Sequence, residues 1–217
     1  MEVLNITLKD IPQAAYTLFR AFEYDPLMMW IFGNKQAYEN KGLELFKTWV
    51  KYCVLYGTAI RTSNFESVAI RKKPGDTKLR LWRILRSGMY NNPKILGEAG
   101  FKRLMEFDKL TSKERTNHLG KQPFWYCWMT GTKPEFQRKG YGQTLAEYTF
   151  TLAKECHFPC YLETSNKNSV QVHLRNRYEL VSEPSSRASR IDPLCRGRCY
   201  TSRFTVIHFK RQKVHKI

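Results

Sequence analysis

The run Gln137-Arg138-Lys139-Gly140-Tyr141-Gly142 combines the two things an anion site needs, glycines and positive charge. It follows a strand-like aromatic stretch, Phe124-Trp125-Tyr126-Cys127-Trp128-Met129-Thr130, and leads into a helical pattern from Gln143 to Cys156. The first-turn N–H groups of a helix have no intrahelical partner, and the aligned peptide dipoles put partial positive charge there. Glycine lets the backbone approach an anion closely, because no Cβ intervenes. Arg138 and Lys139 add full charges beside those amides. The ligand this pattern implies is a compact phosphate or pyrophosphate. No Gly-x-x-x-x-Gly-Lys-Ser/Thr occurs in the chain and the three-glycine dinucleotide fingerprint is missing, which excludes two other phosphate loops.

The loop resembles the pyrophosphate loop of the GNAT acetyltransferases, Gln/Arg-x-x-Gly-x-Gly/Ala. Further stretches carry the likeness. Thr130-Gly131-Thr132-Lys133-Pro134-Glu135-Phe136 looks like the family's strand exit, and Cys160-Tyr161-Leu162-Glu163-Thr164 like the strand after the loop helix. Asn166-Lys167-Asn168-Ser169-Val170-Gln171-Val172-His173 stands where the family has Asn-x-x-Ala-x-x-x-Tyr. The likeness covers residues 122–183 and extends more faintly over the chain. Asp25-Pro26, the helical stretch before the central strand and Pro123-Phe124-Trp125-Tyr126 are similar to the puromycin-acetyltransferase-like branch.

The resemblance implies acetyl-CoA as co-substrate and no metal. Gln137, Arg138, Lys139, Gly140, Tyr141, Gly142 and Gln143 would hold its pyrophosphate. Met129, Thr130, Gly131 and Thr132 would offer strand-edge groups to the pantetheine arm, with an N–H near Thr130 polarising the thioester carbonyl. Asn166 matches the family asparagine that contacts the cofactor. His173 takes the place of the tyrosine acid, and Arg177-Tyr178 replaces the family's Gly-Phe. A histidine acid titrates nearer working pH than a phenol, and a neighbouring Arg175 or Arg177 would depress it. Glu163 is the first candidate for general base and His118 the second. Asp25 and Glu23 could orient a cationic amine, with Trp30, Trp125 and Trp128 lining an acceptor pocket.

The function so implied is acetyl-CoA-dependent transfer to a primary amine of a small molecule or peptide, by direct attack in a ternary complex. The alternative is a weakened GNAT-fold protein whose basic surface binds nucleic acid or another polyanion. The net charge of +18 attracts anions of every kind, and residues 181–217 alone net +7. An acidic partner for that tail is a further possibility. Nucleic-acid binders interleave aromatic with basic residues on one exposed face, whereas here the aromatics cluster in the strands and helix cores.

These residues must be positioned by an α/β order. A strand at 3–7 is followed by a helix from Asp10, its expected N-cap, to about Phe22, then helices over 27–32 and 35–56. A hairpin of 59–62 and 67–71 turns at Ser63-Asn64-Phe65-Glu66. A helical stretch over 79–114 is expected to break near Asn91-Asn92-Pro93. Strand 124–132, helix 140–156, strand 160–164, helix 168–176 and strands 178–183 and 199–209 complete the order. The fold class expected is α/β, a GNAT-type mixed central sheet with splayed central strands and helices on both faces. One acetyltransferase domain would span 1–217, with acceptor-side elements in 1–121, the acetyl-CoA-binding core in 122–183 and a basic C-terminal loop and last strand in 184–217. With 42% hydrophobic residues a sizeable core is available. No apolar run is long enough to span a membrane and the N-terminus lacks a signal pattern, so a cytoplasmic location is expected, with monomer and dimer both open. The six cysteines, two pairs of them spaced C-x-x-x-C, read as free thiols rather than as zinc ligands or disulfides.

Overall fold

The computed structural model describes residues 1–176, 178–182 and 207–211. Arg177, the basic run after Ser182, Cys195, Cys199 and the start of the last strand lie outside the described residues. The elements are β1 (Val3–Asn5), α1 (Ile11–Ala21), α2 (Pro26–Phe32), α3 (Lys35–Tyr56), β2 (Thr58–Thr62), β3 (Ser67–Lys72), α4 (Leu81–Ser87), α5 (Asn92–Leu119), β4 (Trp125–Thr132), α6 (Tyr141–Glu155), β5 (Cys160–Thr164), α7 (Lys167–Arg175), β6 (Glu179–Ser182) and β7 (Ile207–Arg211).

They form one mixed sheet in the order β1-β2-β3-β4-β5-β7-β6. Alternation along β3 shows why helices must cover both faces, since every one of its residues is buried. Val68 and Ile70 pack with Leu18, Phe46, Trp49 and Val50 of α1 and α3. Ala69, between them, packs with Ile60 and with Leu145 of α6 on the other face. Gly131 lets α1 close on the sheet: a Cβ there would lie 2.7 Å from the Ala21 Cβ.

Two irregularities shape the centre. First, β4 and β5 run parallel and pair only at Trp125↔Cys160 and Tyr126↔Tyr161. Beyond Tyr126, β4 stays with β3 while β5 stays with β7 through Thr164, so the strands part and open a wedge. Second, Ile70 faces Met129 but Lys72 faces Tyr126, which puts an extra β4 residue into the pairing at Cys127–Trp128. The expected splayed, mixed sheet is therefore present.

Local chemistry sets the helix boundaries. Asp25 caps α2 by accepting from Leu27 and Met28 N–H at 3.0 and 3.1 Å, with Pro26 in the first turn. Asn34 accepts from Ala37 N–H at 2.8 Å to start α3. Two expectations need adjusting, the cap of α1 and the end of α5. Asp10 stands at the N-cap position of α1, but its side chain makes no cap hydrogen bond there; its carboxylate accepts from the Thr7 N–H and hydroxyl, both at 2.8 Å, and closes the preceding 3-10 turn. The expected interruption near Asn91-Asn92-Pro93 is present: a 3-10 turn spans Met89–Asn91 and α5 starts at Asn92 with Pro93 in its first turn, where a proline's missing N–H costs nothing. Gly88, at positive φ, turns the chain out of α4, Gly97 adds a non-helical residue inside α5, and α5 runs on to Leu119, past the expected end at 114.

Candidate active site

The loop lies where β4 ends and α6 begins. A 3-10 turn at Pro134–Phe136 leads to Arg138 at φ 62° and Gly140 at φ 85°. A left-handed arginine is uncommon, and strain of this kind concentrates at ligand-binding turns. Gln137 Nε2 donates to the Thr132 carbonyl at 3.2 Å and ties the loop to the strand end. Ser67 Oγ holds that end from the other side, 3.0 Å from the Gly131 carbonyl and 2.9 Å from Thr132 Oγ1. No side chain caps α6, so the N–H groups of its first turn point into the space ahead of it. A Cβ on Gly142 would meet Thr132 Oγ1 at 3.2 Å. Arg138, Lys139 and Gly140 are exposed. This helix start adjoins the strand end at which the wedge is open. Together they fit a phosphate-bearing arm: donors for the anion at the helix, and beside it β4 backbone unpaired on its β5 side.

Of the β4 residues expected along that arm, Thr130 is exposed, Met129 is buried in the α1–α3 core, Gly131 lies under α1 and Thr132 is tied to Ser67. Asn166 immediately precedes α7. Its N–H donates to Thr164 Oγ1 at 3.1 Å, and its carbonyl accepts from Ser169 N–H at 2.9 Å.

His173 stands in α7 with its ring edge-on to Tyr178, centroids 5.9 Å apart. Burial lowers its pKa to about 4, so the imidazole is neutral at working pH. This differs from the expectation of an acid poised near neutrality, and its cause is desolvation. The Tyr178 hydroxyl lies 3.5 Å from Cys127 Sγ, at the vertex of the wedge. The Cys160 thiol and the Arg71 guanidinium pull the Cys127 thiol below its ordinary range.

Glu163 is held on both oxygens. Arg115 Nη1 donates to Oε1 at 2.6 Å and the Tyr126 phenol donates to Oε2 at 2.5 Å. Burial pushes its pKa up, and Arg115 and Tyr126 pull against that. Lys72 lies alongside, its ammonium 4.2 Å from the Trp128 ring centre and 5.5 Å from that of Tyr126. Burial pushes the Lys72 amine down to about 8. His118 is one turn past Arg115, toward the closed end of the sheet, and pairs with Glu114 at 3.4 Å. Asp25 is engaged as the α2 cap, and burial raises its pKa. Glu23 pairs with Arg20 and Lys35.

Of the three tryptophans expected at an acceptor pocket, Trp30 and Trp128 pack against the same core and Trp125 lies apart from them. Trp30 lies in α2, the helix that Asp25 caps, and packs on the α1–α3 core. Trp125 is buried with Ala153, Leu162 and Tyr178 beneath α6. Strand alternation puts Trp125 and Tyr126 on opposite faces, and Tyr126 is the one that shares a face with Glu163. Sequence reasoning did not find Arg115, Tyr126 or Lys72. Tyr126 and Trp128 carried a signal, two aromatics on one strand face. Arg115 carried none, being one basic residue among many on α5.

Among the described residues, no group of three or more His, Cys, Asp and Glu side chains could hold a metal ion. No helix there is long and apolar enough to cross a membrane.

Known proteins place this geometry in context. The sequence pattern of the acetyltransferase (GNAT) family matches residues 64–177, more than half of the chain. An uncharacterized N-acetyltransferase of Schizosaccharomyces pombe is 29% identical over 187 residues, covering 82% of this chain and 71% of its own. Among solved structures, a histone acetyltransferase and related acetyltransferase of Corynebacterium glutamicum superposes with a TM-score of 0.66 at 19% identity, covering 99% of this chain and 97% of its own. A polyamine N-acetyltransferase of Drosophila melanogaster superposes with a TM-score of 0.62 at 11% identity, over 98% and 99%.

Proposed function

The chain belongs to the GNAT acetyltransferase family, whose members use acetyl-CoA as co-substrate, and is thereby an N-acetyltransferase; from that premise we propose that it acetylates a primary amine of a small molecule or peptide by direct attack in a ternary complex. The observation that carries the reading is the wedge between β4 and β5 opening beside an uncapped helix start.

In this reading Gln137 to Gln143 hold the pyrophosphate through the first-turn amides, Arg138 and Lys139. The free edge of Met129 to Thr132 aligns the pantetheine arm, with Asn166 on the opposite side. An N–H near Thr130 polarises the thioester carbonyl, where charge develops as the amine attacks. Acetyl-CoA itself supplies an activated acyl group and a thiolate leaving group. The acceptor's proton passes to the Tyr126 oxygen as the Tyr126 hydroxyl proton passes to Glu163 Oε2, with Arg115 holding the carboxylate in place. Neutral His173 offers an N–H to the departing thiolate, which takes its proton from solvent. Asp25 and Trp30 border the acceptor side, while Trp125 serves packing and His118 takes no part.

The net charge of +18 supports a second reading, polyanion binding by a weakened enzyme. Calorimetric titration with acetyl-CoA, dephospho-CoA and a short DNA duplex at two salt concentrations separates the two. Saturable one-to-one binding of acetyl-CoA, removed by Gly142→Glu, is expected. Duplex binding alone, steeply salt-dependent, would replace the transferase reading.

A further inference from the structure

Helix α4 is apolar on two sides. Inward, Ile84 packs against the α1–α3 core and Ser87 is buried, its hydroxyl bonded to the Ile84 carbonyl. Outward, Leu81 is 75% exposed, Trp82 48%, Leu85 55% and the following Tyr90 57%. A helix whose inner face is already satisfied gains nothing in water from an outer face of leucine and tryptophan. The segment is firmly seated, so fraying does not account for this exposure. Arg83 forms an ion pair with Asp76 and sits over the Tyr56 and Trp82 rings, at 4.9 and 5.4 Å. Tyr56 meets Trp82 edge-on at 5.1 Å.

The charge around this face has one sign. Lys73, Lys78, Arg80, Arg86 and Lys94 are all exposed. The single acidic residue between positions 73 and 94 is Asp76, and it is engaged by Arg83 and, at 3.9 Å, by Arg80. Protruding Leu and Trp side chains ringed by Lys and Arg match the acyl boundary and headgroups of an anionic bilayer.

We propose that the outer face of α4, with Leu81, Trp82 and Leu85 as its apolar contacts and the flanking basic residues as its electrostatic ones, docks the protein on anionic lipid surfaces. The protein lies on the bilayer and does not span it. Apolar insertion adds to charge attraction, so the two contributions can be removed separately.

The test is co-sedimentation of the full chain with vesicles of phosphatidylcholine alone and of phosphatidylcholine mixed with phosphatidylglycerol. Wild type is expected to bind the mixed vesicles and not the neutral ones, with a blue shift in emission that Trp82→Phe removes. Leu81→Ser/Leu85→Ser keeps every charge and is expected to lower the partition coefficient roughly tenfold or more. Both changes are at exposed positions, so an unchanged circular dichroism spectrum and unchanged acetyl-CoA binding confirm the fold. Equal binding by the double variant would mean that net charge alone drives attachment and would overturn the proposal. So would failure of wild type to bind either vesicle, or a lipid-free dimer that the double variant turns into a monomer, since a second copy would then cover the face.

Discussion

Arg115 of α5 and Glu163 of β5 meet at 2.6 Å, the carboxylate side chain 4% exposed and the guanidinium side chain 12%. This ion pair and the Tyr126 hydroxyl fasten the long helix to the inner edge of the wedge, where the second half of the sheet turns away from the first. Removing one member strands the other in a poorly solvated place. Arg115→Met is expected to cost about 3 kcal/mol of unfolding free energy, and Glu163→Gln, which keeps an acceptor, nearer 1–2 kcal/mol. The double variant should lose less than the sum of the two, and urea unfolding of all four proteins measures that coupling. Glu163→Gln should also lower kcat with little change in acetyl-CoA affinity; unchanged turnover removes Glu163 from the proton path.

Lys72 gives the opposite prediction. Burial lowers its pKa from 10.5 to about 8, so between those values the unfolded chain holds a proton that the folded chain has released. Stability contributed by this residue therefore rises with pH across that window and is least below about 8. Lys72→Met should be the more stable protein at neutral pH, by on the order of 2 kcal/mol, and the gain should shrink as pH approaches 10.5. Urea midpoints measured across that range decide it.

His173 is half-buried and neutral, its pKa taken from 6.5 to about 4 by desolvation. The unfolded chain binds a proton first on acidification, so this contribution to stability is complete above about 6.5 and drains away as pH falls toward 4. His173→Phe should flatten that part of the stability–pH curve. As a donor to the leaving thiolate, His173 should influence kcat more than coenzyme affinity, and its own titration should leave no limb near neutrality in the pH–rate profile. A His173→Phe enzyme with wild-type kcat would end its chemical role.

At the loop, Gly140 has φ 85°, a conformation that an alanine enters only with strain of about 1 kcal/mol. Gly140→Ala should weaken acetyl-CoA binding several-fold. Gly142→Glu, which places a carboxylate at the anion site, should abolish it. Titration calorimetry ranks the two, and full affinity in the glutamate variant would exclude the loop as the pyrophosphate site.

The strand and helix order was readable because periodicity and turn residues agree over most of the chain. The hairpin around Ser63–Glu66 and α3 at 35–56 follow directly from those patterns. The position of the loop was readable for the same reason, since glycine and charge at a strand–helix junction have few other uses. The break in the helical stretch falls just before Asn92 and Pro93, as those residue types suggest, whereas the non-helical Gly97 inside α5 and the helix end at Leu119 carry no such local signal. Trp125 packs with Ala153, Leu162 and Tyr178, whereas its strand neighbour Tyr126 bonds Glu163 on the other face; one-residue alternation of this kind is invisible until a strand's register against its neighbours is known. The Arg115–Glu163 pair joins residues far apart in the chain, and no local pattern announces such a contact.

Two residue pairs are all that stitch β4 to β5, so the sheet is in effect two half-sheets hinged at Trp125–Tyr126. An elongated ligand in the wedge would stand in for the missing rungs of the ladder and make the second half-sheet depend on it for part of its cohesion. Thermal melting would then report occupancy: at one hundred times its dissociation constant, such a ligand adds about 2.7 kcal/mol to folding. The protection it confers on backbone amides should be concentrated in β5, α7 and β6, with little change across β1 to β3. Coenzyme supply would in that way help determine how long the folded enzyme survives, as well as how fast it turns over.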